Sequence, residues 1–275
     1  MTKKSKKSSA NPNDACIIRH DYTMDSPTEA ANDIQTSDLD VWFQDHQMPI
    51  SMRPHDSWNE NHGARRSTTN YRRDYRDSIT GEDFFENYLK RLHGHTNVWP
   101  VDGEEQRHNH RGDLILDHNT GSKEFEVKLE RKGAETGRHA MEFGEYHSDH
   151  RGNVQDERAP GWFGASKADI IVPVVPMSDG TVVMYPYDLQ QMRRFLAVLA
   201  SKAQKEGHNM RDELGNLDKA KILNALELQI ENSRHTLGPI NTLREGGYKR
   251  SRSLCVPYEF LIKNKLTKPY IVHFD

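Results

Sequence analysis

Asp113, Glu126 and Lys128 are the residues whose types and spacing could together do chemistry. Leu114-Ile115-Leu116 is a short apolar run, and Asn119-Thr120-Gly121-Ser122 is a turn signal. Phe125, Val127 and Leu129 then alternate with Glu126, Lys128 and Glu130. Such alternation gives a strand one apolar and one polar face, so Glu126 and Lys128 point the same way. If the two runs pair as a hairpin, Asp113 at the start of the first comes close to both. Two carboxylates so placed can share a divalent cation with an ammonium beside it, which is chemistry suited to cleaving a phosphodiester. The plainer alternative is an exposed strand with a cross-strand salt bridge.

Other elements must hold this hairpin in place. Residues 80–93 read as a helix, with Thr80 as N-cap, Glu82 and Asp83 in the first turn, Phe85, Leu89 and Leu92 as a core stripe, and Gly94 as the stop. Ile170 to Val175 is dense enough in β-branched residues for a buried strand, and Pro173 within it suggests an edge or a bulge. Ser178-Asp179-Gly180 turns that strand into a second one over Thr181–Tyr185. Asp188 and Asp218 each cap a packing helix, the first running to about Lys205. Strand character returns at Leu254–Pro257 and Tyr270–Phe274. Residues 134–160 show no clear period and read as an irregular loop, and residues 37–60 as a strap.

Gly112-Asp113, followed by Glu126-Val127-Lys128, resembles the PD-(D/E)xK nuclease superfamily in its phage and bacterial endonuclease-like form, with Gly112 in the place of the proline. Phe85-Glu86…Leu92-His93-Gly94 is similar to a first-helix pattern whose Glu reaches the metal; Glu86 is the expected carboxylate, with Glu82, nearer the centre of the apolar stripe, left open. Gly161-Trp162…Ser166-Lys167-Ala168-Asp169 and Ser251 to Pro257 resemble further segments of such proteins. The likeness covers roughly residues 80–190 well and 250–262 loosely. It implies an α/β fold with a restriction-endonuclease-like mixed β-sheet flanked by helices. It implies Mg²⁺, with Mn²⁺ as a substitute, held by Asp113, Glu126 and the Val127 carbonyl. It also implies substrate contacts from Ser166 and Lys167 and DNA as the partner. Lys128 would orient or deprotonate the attacking water or stabilise developing charge, and the electrostatic role is favoured because a lysine among carboxylates stays largely protonated. Two function classes follow: a metal-dependent DNA endonuclease, or a catalytically inactive DNA-binding protein that retains the fold.

The whole chain sets bounds. Net charge is −3 over 275 residues, so nucleic-acid contacts must come from local patches. One such patch is Arg65, Arg66, Arg72, Arg73 and Arg76 with Tyr71 and Tyr75 interleaved; Arg72 and Arg73 are the chosen phosphate contacts, against the reading of a solvated linker. Another is Lys249, Arg250 and Arg252. His108-Asn109-His110 spells a nuclease name without its fold, and His147, Asp149 and His150 match no defensible metal spacing. Only 34% of residues are hydrophobic, below the roughly 45–50% usual for globular domains, so part of the chain is expected to be tail. That places a polar, largely disordered or strap-like extension at 1–75 and a nuclease-like domain at 76–275, with its core at about 80–190 and additions over 190–275. Cys16 and Cys255 form no pair motif, which speaks against structural zinc or a disulfide scaffold. With no signal segment or membrane span read, the expected location is the cytoplasm of a bacterial or phage-infected cell. A homodimer is left open.

Overall fold

The computed structural model describes residues 36–53, 70–119, 121–149, 151, 153–237, 241–242 and 248–275. The lysine-rich start of the chain, together with Arg65 and Arg66, lies outside the described residues. In chain order the first elements are β1 (His46–Met48), α1 (Asn70–His93), β2 (Val98–Pro100), α2 (Gly103–Asn109), β3 (Leu114–His118), β4 (Gly121–Leu129) and α3 (Gly133–Thr136). There follow β5 (Arg138–Ser148), β6 (Val154–Pro160), α4 (Trp162–Ala165), β7 (Ile170–Pro176), β8 (Val182–Met184), β9 (Tyr187–Asp188) and α5 (Leu189–Lys205). The chain closes with α6 (Lys219–Gln229), β10 (Arg234–Leu237), β11 (Asn241–Thr242), β12 (Tyr248–Pro257), α7 (Tyr258–Lys263) and β13 (Tyr270–Phe274).

These strands make two sheets. The main one is mixed, in the order β1-β13-β8-β7-β4-β3-β2 with β9 added to β7. Its β4–β7 and β1–β13 pairs are parallel. The second is antiparallel, β10-β12-β5-β6 with β11 on β12. The hairpin expected around the chemical residues is present: β3 and β4 are antiparallel, with Leu114 opposite Phe125.

The period-2 pattern of the central strands sends alternate residues to two cores. Phe125 and Val127 of β4 and Ile170, Val172 and Val174 of β7 pack with Phe84, Phe85 and Leu89 of α1. Ile171 and Val175, on the opposite face, join Phe143, Phe163 and the Met192, Phe195 and Leu196 stripe of α5. Helices therefore cover both faces of the main sheet, and each of these large side chains contributes about 1.5–3 kcal/mol by leaving water. The 36–53 segment locks α1 down. Phe43 stacks on Phe85 at 5.9 Å and meets Phe125 edge-on at 6.0 Å, while Tyr88 Oη donates to the Gln44 carbonyl at 2.7 Å.

Three expectations change. The helix does not start at Thr80 but at Asn70; nothing between Asn70 and Ile79 is a proline or glycine that would stop it. Residues 134–160 are not an irregular loop but largely β5 and β6. Their alternation is masked in sequence by a β-bulge, where β12 pairs past Phe143 and the register shifts between Arg252 and Ser253. Pro173 lies not on an edge strand but in β7, the neighbour of both β4 and β8. It is tolerated because it sits at the gap between β8 and β9, where its carbonyl still accepts from Tyr185 N at 3.0 Å. The expected helices at Asp188 and Asp218 are present, each carboxylate accepting an N–H of the first turn. Among the described residues no helix is long and apolar enough to cross a membrane.

Candidate functional site

The site lies where β3 stops and β4 runs on. β3 begins at Leu114, opposite Phe125, so residues 126–129 of β4 have no β3 partner. Asp113 N still donates to Phe125 O at 2.6 Å. The Asp113 carboxylate then takes the next ladder donor, accepting from Val127 N at 2.7 Å. Since the N–H and C=O of one strand residue face the same side, the Val127 carbonyl opens into the same notch.

Glycine makes this turn possible. A Cβ on Gly112 would lie 2.4 Å from the Phe125 carbonyl oxygen. The segment is clamped by Glu124, whose carboxylate accepts from Arg111 Nε at 2.8 Å and from Gly112 N at 2.5 Å. Glu124 thus positions Asp113, a role that sequence reading did not assign because a carboxylate reaching back across the hairpin leaves no local pattern.

Glu126 and Lys128 project from the polar face of β4, as the alternation implies. Glu126 is buried at 8% exposure, and Lys128 is ion-paired to its Oε1. Ser166 Oγ donates to Glu126 Oε2 at 3.1 Å, so the expected substrate contact instead braces a site carboxylate. Arg193 of α5 holds that brace by donating to the Ser166 and Phe163 carbonyls at 2.8 and 2.7 Å. Lys167 is exposed, and its backbone N–H donates to His110 O at 2.7 Å. Asp169 does not pair locally but reaches across to β4, accepting from Glu124 N at 2.9 Å. The Lys128 ammonium also lies 5.3 Å from the Trp162 ring centre.

From α1 it is Glu82 whose charge reaches the cluster, acting on both Asp113 and Lys128. Glu86, the expected carboxylate, is instead paired with Lys90 one turn on, at 2.5 Å. The reason is helical phase: the buried stripe of Gly81, Phe84, Phe85, Tyr88 and Leu89 brings position 82 closer to the sheet than position 86. Gly81 permits the approach, since a Cβ there would meet Leu129 Cβ at 3.2 Å. From the second sheet, Glu142 of β5 also feels Lys128; burial raises its pKa, Glu145 adds to that, and Lys249 and Lys128 oppose it.

The electrostatics are those of crowded carboxylates around one ammonium. Burial, with Glu126 and Glu82, pushes the Asp113 pKa up to about 8 against the pull of Lys128 and the Val127 N–H. Burial alone would lower Lys128, but Glu126, Asp113 and Glu82 hold it above the ordinary lysine value. An excess of negative oxygens, with no thiolate or imidazole among them, suits a hard divalent cation. Among the described residues no three His, Cys, Asp or Glu side chains form a ready-made cage. Mg²⁺ commonly needs only one or two carboxylates, with waters and substrate phosphate completing its shell.

Of the remaining candidates, some lie outside the described residues and the others are engaged elsewhere. Arg72 and Arg73 fall on the first turn of α1, and their side chains lie outside the described residues. His110 ends α2 in the left-handed region. Asp149 accepts from Arg151 N and Asn153 N in the β5–β6 turn, and His150 lies outside the described residues. Lys249 pairs with Glu145, and the Arg252 guanidinium lies 5.0 Å from the Tyr146 ring centre.

Fold and site together define a mixed α/β protein with a carboxylate–lysine cluster at the end of a central hairpin. No family model, curated protein or solved structure matches this chain.

Proposed function

We propose that this protein is a metal-dependent DNA endonuclease of the PD-(D/E)xK type, hydrolysing phosphodiester bonds at the Asp113/Glu126/Lys128 cluster. The observation that carries the reading is the meeting of those three residues, with Glu82 added, at the notch beyond β3. Asp113, Glu126 and the Val127 carbonyl would hold Mg²⁺ or Mn²⁺. When bound, such an ion supplies Lewis-acid activation of water and neutralises charge on the phosphate. Lys128, held protonated by its neighbours, stabilises the negative charge that develops on the phosphate oxygens rather than removing a proton. Ser166 and Arg193 keep Glu126 oriented.

The test is plasmid cleavage beside calorimetric Mg²⁺ titration. Mg²⁺ or Mn²⁺ should support cutting and Ca²⁺ should bind but support it poorly, because its larger, looser shell accepts the same oxygens. Glu126→Gln should lose both metal binding and cutting; Lys128→Ala should bind metal and not cut. Cleavage undiminished in excess EDTA, or a Glu126→Gln variant that cuts like the parent, overturns the reading. A parent that binds DNA and never cuts leaves the DNA-binding alternative in its place.

A further inference from the structure

Beside Lys128 a cleft of about 550 Å³ opens between the end of β4, α3, β5, β10 and β12. Its walls include Trp162, Leu129, Ala140 and Thr236, and its cationic lining is Arg131, Lys132, Arg138 and Arg234. Among the described residues the one acid lining it is Glu130, whose carboxylate is engaged by His139 Nδ1 at 2.7 Å and Ala140 N at 3.3 Å. His139 is fully buried and in turn meets Tyr187 Oη at 3.0 Å. The same imidazole lies 5.7 Å from the Trp162 ring, and Phe163 packs edge-on against it at 5.8 Å, so the indole is a fixed wall.

Size, wall and charge each restrict the occupant. The volume falls in the range of single-ligand pockets, about 300–1,000 Å³, and is far too small for a duplex whose major groove alone is about 12 Å wide. An aromatic wall with an apolar lining suits a base, and a guanidinium rim suits phosphate. Val127, Lys128 and Leu129 belong to the cleft as well as to the site strand, so its contents lie directly beside the carboxylate cluster.

We propose that this cleft receives one nucleotide unstacked from the substrate DNA next to the scissile phosphate, with its base against Trp162 and its phosphates against the arginine-rich rim. The proposal rests on the nuclease reading for the bond that is cut. A base that is already unpaired is the least costly to lift out, so the protein should select DNA with a bulge, mismatch or frayed end.

The test uses the full chain in EDTA, where no cutting confuses binding. The probes are a fully paired duplex, the same duplex carrying a single 2-aminopurine bulge, and dTMP. The bulged duplex should bind about tenfold tighter or more, the scale of one base stacked on an aromatic ring, and 2-aminopurine emission should be quenched. Trp162→Leu and, separately, Arg234→Gln at an exposed position should erase most of that preference while leaving paired-duplex binding nearly unchanged. Arg234→Gln guards against a Trp162 variant that fails to fold. Equal binding of both duplexes by the parent, or a preference that survives both variants, overturns the proposal. So does dTMP binding without any bulge preference, which would make the cleft a free-nucleotide site. Cleavage is measured apart: a bulge-selective protein that never cuts sinks the nuclease reading and keeps the cleft, and a cutting protein with no preference does the reverse.

Discussion

The Asp113 carboxylate accepts the Val127 N–H at 2.7 Å, standing in for the strand partner that β3 ceases to provide. One carboxyl group therefore has two duties, completing the ladder and, once a bound cation displaces the proton that burial favours, supplying negative charge. Asp113→Asn keeps an acceptor and removes the charge; it should fold like the parent and lose cleavage by about a hundredfold or more, the scale of one electrostatic stabiliser. Asp113→Ala should also lose about 1–3 kcal/mol of stability, because the Val127 N–H is left without its acceptor. Denaturant melts beside the plasmid assay separate the two, and equal stability of the Asn and Ala variants would show that the ladder duty is absent.

The helix carboxylates should divide sharply. Glu82→Gln should lower cleavage about tenfold or more, since its charge acts on both Asp113 and Lys128. Glu86→Gln should leave activity near the parent's and cost only about 0.3–0.5 kcal/mol, the worth of one i,i+4 pair on a helix. Matched activity and stability measurements on the two variants decide the matter; a larger activity loss at Glu86 would reverse the assignment.

Gly112 should tolerate no side chain. Its Cβ would strike the Phe125 carbonyl at 2.4 Å, a backbone atom that cannot swing aside. Gly112→Ala should cost about 1–3 kcal/mol through this overpacking and weaken metal binding by displacing Asp113. Gly164→Ala, with nothing within 4 Å of the added methyl, is the control and should melt like the parent or slightly above it. A Gly112→Ala protein as stable as the control would mean that the close approach is not kept in solution.

Stability should fall in mild acid through His93. Its Nε2 lies 3.2 Å from the Trp42 carbonyl, and the His118 ring sits 5.6 Å away. Burial, with His118, lowers its pKa below the ordinary 6.5, against the pull of the Trp42 carbonyl. Between the folded value and 6.5 the unfolded chain binds more protons, so stability is full above that window and declines as pH drops through it. Other buried groups titrate nearby, so the readout is a difference: urea melts at pH about 8 and about 5.5 should show a smaller acid loss for His93→Gln than for the parent. An identical loss in both would remove His93 from the account.

Local pattern made the hairpin, its polar face and the order Asp, Glu, Lys legible from sequence, because a strand's period of two assigns faces without any knowledge of what lies across from them. The Asp188 and Asp218 caps and the turn at Ser178-Asp179-Gly180 were legible for the same reason, since each is settled within a few residues. The choice between Glu82 and Glu86 was not. It depends on the phase at which α1 lies on β4, set by Phe43, Phe85 and Phe125 meeting from three distant parts of the chain. β5 escaped notice because register shifts break its alternation, one against β12 more than a hundred residues away and others against β6. The cleft beside Lys128 is likewise a product of tertiary structure. Arg131, Arg138 and Arg234 carry no common motif, and only the packing of the second sheet beside the end of β4 gathers their charge around one aromatic wall.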